Sequence, residues 1–166
     1  MDKYIIKTIF IAMFAFLSLM GKFSVAQDNV EKEAIFAQDF TLQDTDNYSV
    51  SLSEYKGVQP VVLFFWTSWC AYCRQELRIL KDKYAGFSEM GIVILAINIG
   101  EQKWKVEHFK AKNELNFKVL LDKQGEVADS FGVFGVPTYI FINKEGRVVA
   151  QEHYFSEERF EELVLK

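Results

Sequence analysis

The chain has 166 residues, half of them hydrophobic and a quarter charged. That composition fits one globular domain with a short appendage and excludes disordered, collagen-like or disulfide-stapled chains. The formal net charge of −4, with no basic run, argues against a nucleic-acid partner, which needs clustered Lys and Arg. Two cysteines, Cys70 and Cys73, cannot build a disulfide framework or a closed four-ligand zinc site, so they form one site or none.

Residues 1–26 read as a secretory signal peptide. Lys3 and Lys7 give a positive start, Thr8 to Gly21 is uncharged, and Ser24-Val25-Ala26 offers small residues where a signal peptidase reads them. The uncharged stretch is shorter than the ~18–20 residues that span a bilayer. The alternative is an uncleaved membrane anchor, lengthened by snorkelling of Lys22. The absence of a cysteine near this region argues against a lipoprotein. On either reading the body works in a periplasmic or other extracytoplasmic compartment, where disulfides persist. Residues 27–33 read as a flexible polar lead and 34–166 as the folded domain.

Ile35 to Leu42 and Tyr48 to Leu52 alternate loosely around Asp44-Thr45-Asp46-Asn47, which predicts an opening hairpin. Gln59 to Trp66 is a continuous apolar run suited to a strand buried on both faces. Pro60 is tolerable there because a strand start can spare one donor. From Cys70 the period changes: Leu77, Leu80, Tyr84 and Phe87 mark the inner face of an amphipathic helix. A second buried strand spans Gly91 to Asn98. A helix follows over Glu101 to Asn113, with Trp104, Val106 and Phe109 as its apolar positions. A short strand covers Phe117 to Leu121, a turn Asp122 to Gly125, and a short helix Glu126 to Phe131. Thr138 to Ile142 and Arg147 to His153 predict an antiparallel pair around Asn143-Lys-Glu-Gly146. Ser156 then starts a closing helix that turns Phe160, Leu163 and Val164 inward. The order implies a sheet with helices on both faces, mostly parallel in its first half.

Cys70 and Cys73 stand where a strand ends and a helix begins, a spacing that can close a disulfide across the first helical turn. Cys70 sits at the positive end of the helix, where unpaired N–H groups and the dipole favour a thiolate. Cys73 lies inside the first turn and is more covered. Cys70 is therefore the expected attacking thiol and Cys73 the resolving one. The competing readings are two inert core cysteines or half of a metal site. The second would have to recruit His108 and His153, which read as ordinary helix and strand residues. Glu76, one turn beyond Cys73, can face the same side; by periodicity alone it reads as a solvated helix glutamate.

Trp66-Thr-Ser-Trp69-Cys70-Ala-Tyr-Cys73-Arg-Gln-Glu76 resembles the W-x-x-W-C-x-x-C-x-x-E signature of thioredoxin-like proteins of the TlpA/ResA type. Leu121-Asp122-Lys-Gln-Gly125, Phe131-Gly-Val-Phe-Gly-Val-Pro137-Thr138 and Ile140-Phe-Ile-Asn-Lys-Glu-Gly146 continue the likeness over residues 34–165. The resemblance implies a thioredoxin-like three-layer α/β/α sandwich with a mixed central sheet, an N-terminal β-hairpin and an inserted β-α element. It implies that the Val136–Pro137 bond is cis and faces the disulfide, with backbone that pairs with a substrate strand. It gives Glu76 the part of proton acceptor, since the buried Asp of cytoplasmic thioredoxin is replaced here by Phe64. Tyr72 and Arg78 stand where the family often has proline. Trp69 can shield the site or touch a partner, and Tyr72 can face a partner or cover Cys73, while Trp66 reads as core.

The expected activity is thiol–disulfide exchange, as a reductant, with no cofactor beyond the Cys70–Cys73 pair and no metal. The partners implied are exported client proteins with disulfides, apocytochrome c among them, and a membrane thiol-electron carrier that supplies reducing equivalents. The chain is expected to act as a monomer. One rival is a peroxiredoxin-like peroxidase, whose P-x-x-x-[ST]-x-x-C motif would need proline at Leu63. Another is a non-enzymatic metal- or haem-delivery module, which would want His or Met ligands beside the thiols.

Overall fold

β3 (Val61–Trp66) buries all six of its side chains, and their alternation divides the core. Val62, Phe64 and Trp66 enter one apolar cluster, while Val61, Leu63 and Phe65 enter the other. The computed structural model describes residues 35–165; the signal peptide and polar lead read from the sequence lie outside them. The remaining strands are β1 (Thr41–Asp44), β2 (Ser49–Ser51), β4 (Val93–Ile99), β5 (Lys118–Asp122), β6 (Thr138–Ile142) and β7 (Val148–Glu152). They form one sheet in the order β2-β1-β5-β4-β3-β6-β7. β3, β4 and β5 run parallel, and the outer pairs are antiparallel, so the sheet is mixed as expected.

The four described helices divide unequally between the faces. α1 (Ala71–Glu89), α2 (Lys103–Asn113) and α4 (Glu157–Leu165) cover the Val62 side, through Leu77, Leu80 and Phe87, Val106, and Phe160 and Leu163. Phe87 and Phe160 stack with ring centroids 4.1 Å apart, tying α1 to α4. α3 (Glu126–Ser130) covers the other side with Val127 and Ala128, helped by Phe40, Val50 and Leu52 from the N-terminal segment.

Two expectations change. The first apolar stretch is not one hairpin strand. Phe36 bridges to Arg147 beside β7, Phe40 is buried edge-on to Phe131 (6.0 Å between centroids), and only Thr41–Asp44 pairs with β2 and β5. The chain crosses the sheet because Phe40 has a hydrophobic slot on that face. Asp44 then shapes the turn, its Oδ1 accepting the N–H groups of Asp46 and Tyr48 at 2.8 and 2.9 Å. Trp104 is 65% exposed rather than part of the α2 core. At ~100° per residue it lies on the far side of the helix from Val106, while Phe109 packs 5.1 Å from Trp66. The Val164 side chain, expected to face inward, lies outside the described residues.

Candidate active site

The strand-to-helix joint is made by the end of β3 and a tight turn in which the Cys70 N–H reaches the Thr67 carbonyl at 3.4 Å. Cys70 is the N-cap of α1, with extended backbone (φ −72°, ψ 117°), and its Sγ accepts the N–H of Cys73 at 3.1 Å. No acidic residue occupies the first turn of α1, so nothing there opposes negative charge on that sulfur. The two sulfurs are at disulfide distance, with Cα atoms 5.2 Å apart. Cys70 keeps 8% of its surface exposed, and Cys73 none.

Glu101 holds this loop in place. Its carboxylate accepts the Ser68 N–H and hydroxyl, both at 2.6 Å, and the Asn98 side-chain amide at 2.7 Å. Arg74 adds a bond to the Ser68 carbonyl at 3.0 Å. Partial burial pushes the Glu101 carboxyl up, but the donors from Asn98 and Ser68 outweigh it and hold the group below its usual value. The sequence reading took Glu101 only as the start of α2. The Glu101–Ser68 contact spans 33 residues and depends on β3 and β4 lying side by side.

Opposite Cys70 the Val136–Pro137 bond is cis, and the Val136 carbonyl oxygen lies 3.7 Å from Cys70 Sγ. Thr138 donates its hydroxyl to Gly135 O at 2.7 Å, and His153 Nδ1 sits 3.1 Å from both Thr138 Oγ1 and Pro137 O. His153 thus braces the proline loop, and His108 is exposed on α2. Among the described residues no cluster of three or more His, Cys, Asp or Glu side chains is placed to hold a metal ion.

Glu76 is buried rather than solvated. Its Oε2 accepts the Tyr139 hydroxyl and the Phe155 N–H, both at 2.8 Å. Tyr139 pairs with Phe64 across β3 and β6, and the rings lie 4.6 Å apart. The place where cytoplasmic thioredoxin carries an Asp is thus filled by an aromatic pair, and the nearby carboxylate comes from α1. Burial, then the charge and hydrogen bond of Glu76, push the Tyr139 phenol far above its ordinary value, so it is a permanent donor.

The outer rim is aromatic. Trp69 and Tyr72, either side of Cys70, are 72% and 75% exposed, so Tyr72 does not cover Cys73. Phe134, two residues before Val136, is fully exposed. It escaped the sequence reading, although an aromatic set between Gly132 and Gly135 has little local chain to bury it. Trp66 is core, as expected. Leu63 sits in the middle of β3, paired with Leu95 and Ile140, where a proline would remove a ladder donor.

A model of the AhpC/TSA family matches residues 35–151. The chain is 37% identical over 142 residues to the thiol-disulfide oxidoreductase ResA of Bacillus subtilis, covering 86% of this chain and 73% of that protein. The crystal structure of the thioredoxin domain of a thiol-disulfide oxidoreductase from Bacteroides vulgatus aligns with a TM-score of 0.68 at 25% identity, covering 80% of this chain and 94% of that one. That of StoA from Bacillus subtilis aligns with a TM-score of 0.66 at 27% identity, covering 76% and 96%. The chain therefore belongs to the AhpC/TSA family and, within it, to the ResA-like thiol–disulfide oxidoreductases of thioredoxin fold, which work by dithiol exchange.

Proposed function

We propose that the protein is an extracytoplasmic reductant of disulfides in exported client proteins. The observation that carries this reading is the asymmetry of the pair: Cys70 caps α1 beside the cis-proline loop, and Cys73 is wholly buried behind it. In the dithiol form the Cys70 thiolate is favoured by the α1 N-terminus and the Cys73 N–H. It attacks one sulfur of a client disulfide, and the other client sulfur leaves as a thiolate. Cys73 then gives its proton to Glu76 and attacks Cys70 Sγ. The Cys70–Cys73 bond forms, the bond to the client breaks, and the client departs with two electrons.

Val136 and Pro137 offer backbone to an extended client segment, and Trp69 and Tyr72 flank it. The signal-peptide reading of residues 1–26 supports work outside the cytoplasm, with the reducing equivalents supplied by a membrane thiol-electron carrier. Apocytochrome c, which must present reduced cysteines to haem, is one client of this chemistry. The protein acts as a monomer, since one chain carries every group used. The deciding measurement is the reduction potential of Cys70–Cys73. A value of about −250 mV or lower supports a reductant, and one near about −120 mV makes the protein an oxidant.

A further inference from the structure

The carboxylate of Glu76 is not symmetric. Both protein donors, the Tyr139 hydroxyl and the Phe155 N–H, fall on Oε2, and each lies at 2.8 Å. Oε1 receives neither. The two donors come from separate elements, β6 and the loop between β7 and α4, so they fix the plane of the carboxylate as well as its place. Tyr139 is itself immobile: it has no exposed surface and its ring packs on Phe64, Phe141 and Phe160.

We infer that Tyr139 is a positioning residue for disulfide exchange, holding Glu76 by Oε2 so that Oε1 is the atom that takes the Cys73 proton. The inference rests on the role of Glu76 proposed above. The Tyr139 hydroxyl is spent on Glu76, and Tyr139 acts through it. In the resolving step the Cys73 S–H bond breaks and its proton passes to Oε1. The electron pair left on Cys73 Sγ forms the bond to Cys70, and the departing client sulfur carries away the pair of the broken bond. A donor to an ionised carboxylate favours the ionised form. Tyr139 therefore keeps the carboxylate aimed.

The other ionisable groups nearby are engaged elsewhere. His153 faces Thr138 and Pro137, and Lys83 reaches Glu157 while lying over the Phe155 ring. Arg159 of α4 pairs with Glu152 and Glu162, and β3 presents Phe64. Tyr139 is left as the titratable group hydrogen-bonded to the carboxylate, with Cys73 one helical turn before it on α1.

The test mixes the reduced protein with a chromogenic aromatic disulfide. The first coloured thiolate released reports attack by Cys70, and the second reports resolution by Cys73. Tyr139→Phe removes one oxygen and keeps the ring. It is expected to leave the first release unchanged and to slow the second about tenfold at pH 7, the usual scale for a hydrogen bond to a charged group. The pH at which the second release reaches half its maximum rises. Glu76→Gln slows the second release more, and Tyr139→Phe added to it changes nothing further. If Tyr139→Phe resolves at the wild-type rate from pH 6 to 9 while Glu76→Gln is slow, the positioning role is overturned and the role of Glu76 stands. If both single variants resolve at the wild-type rate, both readings fall. A double variant slower than Glu76→Gln by the full Tyr139 factor also overturns the inference, because Tyr139 would then be acting through packing.

Discussion

The two sides of the disulfide are built from opposite materials. Behind it Cys73, Glu76, Phe64 and Tyr139 are buried, and the carboxylate is held by specific donors. In front of it Trp69, Tyr72 and Phe134 stand in solvent around the slightly exposed Cys70. Proton transfer needs fixed geometry and little water, since a carboxylate and a thiol in bulk solvent trade protons with water instead. Recognition of unfolded or partly folded clients needs open aromatic area that can lie against varied side chains. With the roles proposed above, the contrast keeps proton chemistry and client contact on opposite sides of the disulfide.

The harshest way to break the comparison is to remove either sulfur. Cys70→Ala should abolish exchange and trap nothing, whereas Cys73→Ala should accumulate a client mixed disulfide visible on non-reducing gels. Trapping by Cys70→Ala alone would reverse the two sides. Next in size, Glu76→Gln should slow resolution at pH 7 by ~10²–10⁴-fold, the range for loss of a positioned general base. The deficit should shrink as pH rises and the Cys73 thiolate forms without help; stopped-flow kinetics of both half-reactions from pH 6 to 9 measure it.

On the open side the effects should be milder and confined to protein clients. Trp69→Ala or Phe134→Ala should raise KM for a protein disulfide by ~5–30-fold, as expected when an aromatic anchor worth ~1–2 kcal/mol is truncated. Turnover of a small aromatic disulfide should change little. Equal losses on both substrates would mean that these rings shape the site rather than greet the client.

The smallest effect on rate belongs to the Glu101 clamp, whose removal is read best in stability. Glu101→Gln removes the charge and turns one of the two oxygens that accept from Ser68 and Asn98 into an NH2 donor, which should cost about 1–3 kcal/mol at pH 7. Because the folded carboxyl titrates below its unfolded value, its stabilisation is fully present above about pH 4.5 and fades as pH falls through the folded value. Thermal unfolding of wild type and variant from pH 7 to 3 should therefore converge in acid. A constant gap across that range would assign the loss to packing.

What could be read from the sequence was whatever local spacing encodes. Thr138 to Ile142 is observed with the bounds its apolar run predicts, and the inner face of α1 carries Leu77, Leu80 and Phe87 as their steps require. The cysteine pair is visible because three residues bridge one helical turn. What escaped is long-range. Tyr139 reads as one more apolar residue in a buried strand, and its partner Glu76 is 63 residues away. The Phe155 N–H is a backbone group 79 residues from Glu76 and has no signature at all. The crossing of the first segment was misread because Ile35, Phe36 and Phe40 look alike as hydrophobic residues, although Phe40 is buried and the other two are exposed.

That crossing bears on how the protein avoids unwanted partners. A sheet edge is a row of open donors and acceptors, ready to recruit a strand from another molecule. The β2 edge is only three residues long. At the other edge, Val148 donates to Ile35 O at 2.8 Å and Ala37 donates to Gly146 O at 2.9 Å, so the chain's own early residues occupy the start of β7. An irregularity in the β6–β7 ladder and the Arg159–Glu152 bridge disturb the rest. A disulfide oxidoreductase that meets other proteins thus blunts both flanks of its sheet. On the proposed function, that leaves Val136, beside the Cys70 sulfur, as the place for a client's extended backbone.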